Sequence, residues 1–263
     1  MPRKHTYGPF RSRRLGLSLG IDILSREKTC TFDCVYCEIG RTKNLVSPCH
    51  IVKNPPDLSF RKELKDILKY FPNLDSLTFG YNGEPTLNNH LLDYLEIAQE
   101  VRDSFNWLQK KPLLTLFTNS STLFLDEIRK KVRAFDLVVA KLDAADELDY
   151  KRTNRPHEEC PDILSLIESL RQLRIEMSKN KLALQCLIYD SYVKEQIANN
   201  NSENIINLAK IVKQIEPDVV QIYSIARIPA EYFVYSIADD RKKEIVRIFK
   251  ETIQSDKIEI SYF

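Results

Sequence analysis

Apolar runs of strand length alternate with segments of helical period along almost the whole chain, and this alternation limits the fold more than any other feature. Residues 17–23 alternate with period two. Phe60, Leu64, Ile67, Leu68 and Phe71 then mark one helix face, with Asp57 or Ser59 placed to cap it. Further strands are predicted over 74–79, 113–117, 137–142, 182–188 and 219–223, separated by helices near 91–101, 124–132, 163–173 and 205–215. A helix over 240–253 and a strand over 258–262 complete the pattern. Strands joined through helices of this length build a parallel sheet with right-handed crossovers. Six core strands with a seventh at the end are too few for a closed eight-stranded barrel. The expected fold is therefore an α/β partial (β/α)6 barrel of parallel strands. It is read as one domain over 1–263, with a basic segment at 1–16, a barrel core at 17–224 and a helix and strand over 225–263.

In such a fold the working loops lie at the carboxyl ends of the strands. Three sequence motifs fall there. The first is Cys30-Thr31-Phe32-Asp33-Cys34-Val35-Tyr36-Cys37, after the first strand. Three thiolates on one short loop bind three corners of a cubic iron–sulfur cluster and leave the fourth iron open, where an electron carrier would normally have a fourth cysteine. The second is Gly83-Glu84-Pro85 and the third Asn119-Ser120-Ser121, each beyond a strand end. Two other readings of the cysteines stay open: a structural zinc site completed by Cys49 or His50, and an electron carrier with Cys49 as fourth ligand. Asn119-Ser120-Ser121 reads either as a helix N-cap or as a ligand contact.

The net charge of +2 gives no global argument for a nucleic-acid or membrane partner. No apolar run approaches membrane-spanning length, and six cysteines without a regular ladder argue against a secreted disulfide framework. A reducing cytoplasm is expected. All six glycines precede residue 84, close to the motifs. Residues 1–21 hold Arg3, Lys4, Arg11, Arg13 and Arg14 and no acidic residue before Asp22. The segment is either a solvated tail or a strap over the barrel mouth whose arginines recognise phosphate or carboxylate.

The triplet with Tyr36 before its last cysteine, followed by Gly83-Glu84-Pro85 on the next strand end, resembles the radical S-adenosylmethionine (radical SAM) superfamily. Its Gly-Gly-Glu-Pro element has Asn82 here in the first position. The stretch 7–16, Leu142-Asp143-Ala144-Ala145-Asp146, Asn154-Arg155-Pro156-His157 and Arg227-Ile228-Pro229-Ala230-Glu231 resemble a prokaryotic group distantly related to the wyosine-base synthetases of tRNA.

The resemblance implies an oxidoreductase-type enzyme in which Cys30, Cys34 and Cys37 hold a [4Fe–4S] cluster. The open iron chelates the methionine part of S-adenosyl-L-methionine, and reductive cleavage yields a 5′-deoxyadenosyl radical that abstracts hydrogen from a substrate. Glu84 would accept from the methionine ammonium, Gly83 would admit close backbone approach, and Tyr36 would lie near adenine. Asn119, Ser120, Asp143, Arg155 and Gln185 complete the expected cofactor side. Arg155 has a competing structural reading. Arg13, Arg14, Tyr223 and Arg227 are the substrate-side candidates, with packing and ion pairing as the competing reading. The expected partners are a reductant such as ferredoxin or flavodoxin and a small-molecule, peptide or RNA substrate. No auxiliary cluster is expected, because no second cysteine run exists.

Overall fold

The computed structural model describes residues 3–24 and 27–263. Its elements run in the order β1 (Thr6–Ser12), β2 (Gly16–Ile21), β3 (Thr29–Cys30), β4 (Asn44–Leu45), α1 (Leu58–Leu68), β5 (Ser76–Phe79) and α2 (Leu91–Asp103). They continue with β6 (Leu113–Thr118), α3 (Asp126–Val132), β7 (Leu137–Lys141), α4 (Glu147–Asn154), α5 (Ile163–Glu176), β8 (Lys181–Leu187) and β9 (Tyr189–Ser191). The last are α6 (Ser202–Ile215), β10 (Val219–Tyr223), β11 (Val234–Ser236), α7 (Asp239–Ile253) and β12 (Glu259–Tyr262).

One sheet of eight strands has the order β1-β2-β5-β6-β7-β8-β10-β12. From β2 to β12 every pairing is parallel, and only β1 joins antiparallel. The seven strands foreseen from periodicity are thus all present, in a curled half-barrel. The outer helices bury their apolar stripes against it. On α1 these are Phe60, Leu64 and Leu68, and Asp57 caps the helix by accepting from the backbone of Ser59 and Phe60. Side chains such as Leu19, Ile21, Leu77, Phe79, Leu116 and Val138 are fully buried, at about 1.5–3 kcal/mol each in transfer free energy.

The basic segment is not a tail. Residues 6–12 form β1 at the sheet edge, held there by specific contacts. Glu63 of α1 accepts from the backbone N–H of Lys4 (2.9 Å) and Thr6 (2.8 Å). The Tyr7 ring lies over Gly20, where a Cβ would come within 2.0 Å of it. Helix α4 was also absent from the periodic pattern. It is strongly polar but capped by Asp146, which accepts from the backbone of Asp149, and it buries Tyr150.

Candidate functional site

The cysteine loop is pinned at both ends. β3 and β4 pair in parallel, Thr29 with Asn44 and Cys30 with Leu45. The backbone N–H of Asp33 and Val35 donate to the carbonyls of Asn154 (3.1 Å) and Thr153 (3.0 Å) at the end of α4. Cys30 is buried, and Cys34 and Cys37 are half-buried.

Each thiol faces one N–H donor. Asn119 Nδ2 lies 3.4 Å from Cys30 Sγ, Asn154 Nδ2 3.5 Å from Cys34 Sγ, and Lys28 Nζ 3.1 Å from Cys37 Sγ. Burial and the neighbouring Cys37 push the Cys34 thiol up to about 11, and burial raises Cys30 further in the same direction. A positive centre would be needed to hold these sulfurs as thiolates, and the donors around them match what tunes a cluster. This donor set fits a cubane, which puts each thiolate on a different iron. Among the described residues, no three His, Cys, Asp or Glu side chains gather around a single ion, as a mononuclear zinc site requires. Cys49 and His50 are exposed.

The Gly-Glu-Pro element packs directly on β3. Gly83 sits at φ 131°, and a Cβ there would come 1.7 Å from the Thr29 carbonyl oxygen. Its glycine therefore serves the approach of chain to chain. Thr29 N–H donates to Asn82 O at 2.8 Å and Glu84 N–H to Thr29 O at 3.1 Å, which locks loop to loop.

Glu84 is buried, and its carboxylate is already engaged. Thr86 donates through its hydroxyl (2.6 Å) and backbone (3.2 Å) to one oxygen, and Asn119 N–H (2.6 Å) donates to the other. Burial nevertheless raises its pKa above the ordinary carboxyl value. Of about four lone-pair sites on a carboxylate, few remain for a ligand. Asn119 turns back on itself, its Oδ1 accepting from Ser121 N–H at 3.0 Å. Ser120 takes a left-handed φ of 74° and donates to Lys141 O at 2.8 Å. This tripeptide is no N-cap, since α3 begins only at Asp126.

Across the mouth, Asp143 binds four partners. Leu187 N–H donates at 2.7 Å, Asn154 Nδ2 at 3.0 Å, Lys141 Nζ lies 3.0 Å away, and the Tyr36 hydroxyl donates as well. Burial, followed by the Asp143 charge, holds the Tyr36 hydroxyl protonated. Lys141 loses by burial but gains more from Asp143 and Tyr223, and its pKa ends above the usual lysine value. Its Nζ donates to the Tyr223 hydroxyl at 2.7 Å and lies 4.7 Å from the Tyr36 ring centre.

The remaining candidates divide. Arg14 projects its guanidinium 4.2 Å from the Tyr223 ring centre. Gln185 is buried, donating to Gln221 at 3.0 Å. Arg155 is the left-handed cap of α4 and pairs with Glu231, which also binds Arg41. Arg227 lies 3.3 Å from Glu38 and 5.9 Å from the Phe10 ring centre. Arg13 is exposed and is not brought into this cluster. Lys141, Asn154 and Lys28 were missed. Lys141 left a signal as a cation ending an apolar strand on the same face as Leu137 and Val139, and Asn154 opens the Asn154-Arg155-Pro156-His157 stretch. A groove of about 1450 Å³ runs beside α1, lined by His5, Glu63, Phe71 and Asn82.

Residues 27–183 match the model of the radical SAM superfamily. A UPF0026 protein of Methanocaldococcus jannaschii is 30% identical over 97% of this chain and 74% of its own length. Among solved structures, Streptococcus suis SuiB bound to S-adenosylmethionine has a TM-score of 0.60 at 14% identity, covering 92% of this chain and half of that one. TYW1 with a lysine–pyruvate adduct bound has a TM-score of 0.60 at 14% identity, covering 89% of this chain and 73% of that one.

Proposed function

We propose, for a chain that belongs to the radical SAM superfamily and groups within it with the UPF0026 proteins, that Cys30, Cys34 and Cys37 hold a [4Fe–4S] cluster whose open iron takes S-adenosyl-L-methionine. The observation that carries this reading is the triplet's setting: three thiols on one loop, each with its own N–H donor. Together the bound groups supply reductive carbon–sulfur cleavage and a 5′-deoxyadenosyl radical for hydrogen abstraction from a substrate.

The chain's own residues bind, orient and shield. Asn119, Asn154 and Lys28 fix the sulfurs. Glu84, tied to Asn119, holds the second and third strand ends in register with the cysteine loop. Its remaining acceptor capacity would take the cofactor ammonium, and Tyr36, locked by Asp143, would hold the adenosine side. Ser120 and Arg155 act by shaping the rim, and Gln185 lines the barrel interior.

A ferredoxin- or flavodoxin-type protein delivers the electron. All six cysteines are free thiols, which suits a reducing cytoplasm. No helix among the described residues is long and apolar enough to cross a membrane.

The test is anaerobic reconstitution followed by reduction with dithionite. The expected result is brown protein with about four irons per chain and formation of 5′-deoxyadenosine from S-adenosylmethionine. Tightly held zinc with no reductive cleavage would overturn the reading.

A further inference from the structure

Inside the half-barrel, Arg14 has no anionic partner among the described residues. Arg14 comes from the turn between β1 and β2, and its guanidinium lies 4.2 Å from the Tyr223 ring centre and 6.0 Å from that of Phe117. Phe117 is on β6 and Tyr223 on β10, with β7 and β8 between them. A group that touches both must lie on the concave face. Its Nη1 is buried and has no hydrogen-bond partner.

The ring beneath it is already shared. Lys141 Nζ lies 4.8 Å from the same Tyr223 centre and donates to its hydroxyl. Lys141 is matched by Asp143, so the cluster keeps the charge of Arg14 uncompensated. An aromatic face attracts a cation but offers no lone pair in the guanidinium plane, so it leaves the N–H donors unmet. The ammonium of Lys141 has three donors, and Asp143 and Tyr223 account for two. Arg14 and Lys141 thus both approach the Tyr223 ring, and Lys141 also lies 4.7 Å from the Tyr36 ring of the cysteine loop.

We propose that Arg14, with Lys141 beside it and Tyr223 as its floor, binds an oxyanion group of the substrate, a carboxylate or a phosphate. This rests on the radical SAM reading and adds that the substrate is an acid held by its charged end. The guanidinium fork matches a planar or tetrahedral oxyanion with two parallel N–H bonds. The anion settles the donors that the protein leaves open. The methionine carboxylate of the cofactor is assigned to the open iron, so this second anion site falls to the substrate.

The experiment uses reconstituted protein with S-adenosylmethionine and no reductant, titrated calorimetrically with sodium acetate and with sodium phosphate at constant ionic strength. Saturable binding of one probe to the wild type is expected. Tighter binding of acetate identifies a carboxylate substrate, and tighter binding of phosphate a phosphorylated one. Arg14→Gln lowers the affinity by at least about tenfold, whereas Arg13→Gln, altered at an exposed neighbour, binds as the wild type. If Arg14→Gln does not fold, Arg14→Lys decides, because loss of the fork still weakens binding several-fold. No saturable binding of either probe, or unchanged affinity in a folded Arg14 variant, overturns the site. No turnover is involved, so 5′-deoxyadenosine formation by the wild type judges the enzymatic reading separately.

Discussion

Over β5 and β6 the polar groups of the mouth are spent on other parts of the chain, whereas over β7 and β10 a charge is left over. On the first side Glu84 accepts from Thr86 and Asn119, Thr31 bonds Ser121 at 2.6 Å, and Asn119 Nδ2 donates to Thr31 at 2.7 Å. On the second side Asp143 neutralises Lys141 while Arg14 stays without an acceptor for Nη1. A satisfied network rigidifies, and a buried donor left open costs free energy until a partner meets it. Under the proposed function, the first side would be the scaffold of the cluster and the second the seat of the substrate.

The scaffold side is broken most completely at the cluster itself. Cys34→Ala leaves two thiols and is expected to abolish cluster assembly, seen as loss of bound iron and of the brown absorbance. Retention of a full cluster would mean that another residue supplies the third ligand. Gly83→Ala follows in size. Its added Cβ meets the Thr29 carbonyl oxygen in a positive-φ backbone, which costs at least about 3 kcal/mol of stability by strain and overpacking. Urea unfolding measures this, and a loss below about 1 kcal/mol would show that the two loops part easily.

The substrate side is tested by Asp143→Asn. The amide keeps the shape and can still accept from Leu187 N–H, but it leaves Lys141 as a buried cation without its counter-charge. Breaking such a pair costs about 3–5 kcal/mol, again read from urea unfolding. Wild-type stability in this variant would mean that the cations beside Tyr223 are comfortable unpaired, and the contrast between the two sides would fail.

The contrast also explains what was legible in the sequence. Strands and helices announced themselves because each buries one face at a fixed period. Cys30, Cys34, Cys37 and Gly83 stood out in the sequence by residue type and spacing, and the structure puts the three thiols on one loop and leaves no room for a Cβ at Gly83. β1 was not, since Thr6-Tyr7-Gly8-Pro9-Phe10-Arg11-Ser12 has no clean alternation and is placed by Glu63 and the Tyr7–Gly20 contact. Lys141 and Asn154 meet at Asp143 from β7 and α4, so no local spacing connects them. Residue type alone does not separate Arg13, which is exposed, from Arg14, which lies over the Tyr223 ring.

Glu84→Gln sharpens the scaffold side through pH. Burial raises the Glu84 pKa in the fold, so between the ordinary carboxyl value and the raised one the folded chain binds more protons than the unfolded chain. Wild-type stability then falls as pH rises through that window, by up to about 1.4 kcal/mol per pH unit. The variant has no proton to release there and gives a flatter profile. Urea midpoints from pH 4 to 8 compare the two, and identical slopes would mean that the donors around Glu84 fully offset its burial.

The smallest effect belongs to Lys28, the one charged donor among the three that face sulfur. Its Nζ lies 3.1 Å from Cys37 Sγ and also donates to Gly40 O at 2.5 Å, holding the far end of the cysteine loop. A cation and an N–H donor at a ligating sulfur both favour the reduced, more negative cluster. Lys28→Gln retains an N–H donor but removes the charge, so the cluster should assemble normally while its reduction potential moves lower. A potentiometric titration followed by electron paramagnetic resonance reads that shift. An unchanged potential with normal iron content would make Lys28 only a clasp on Gly40, and the scaffold side would then tune its cluster through neutral donors alone.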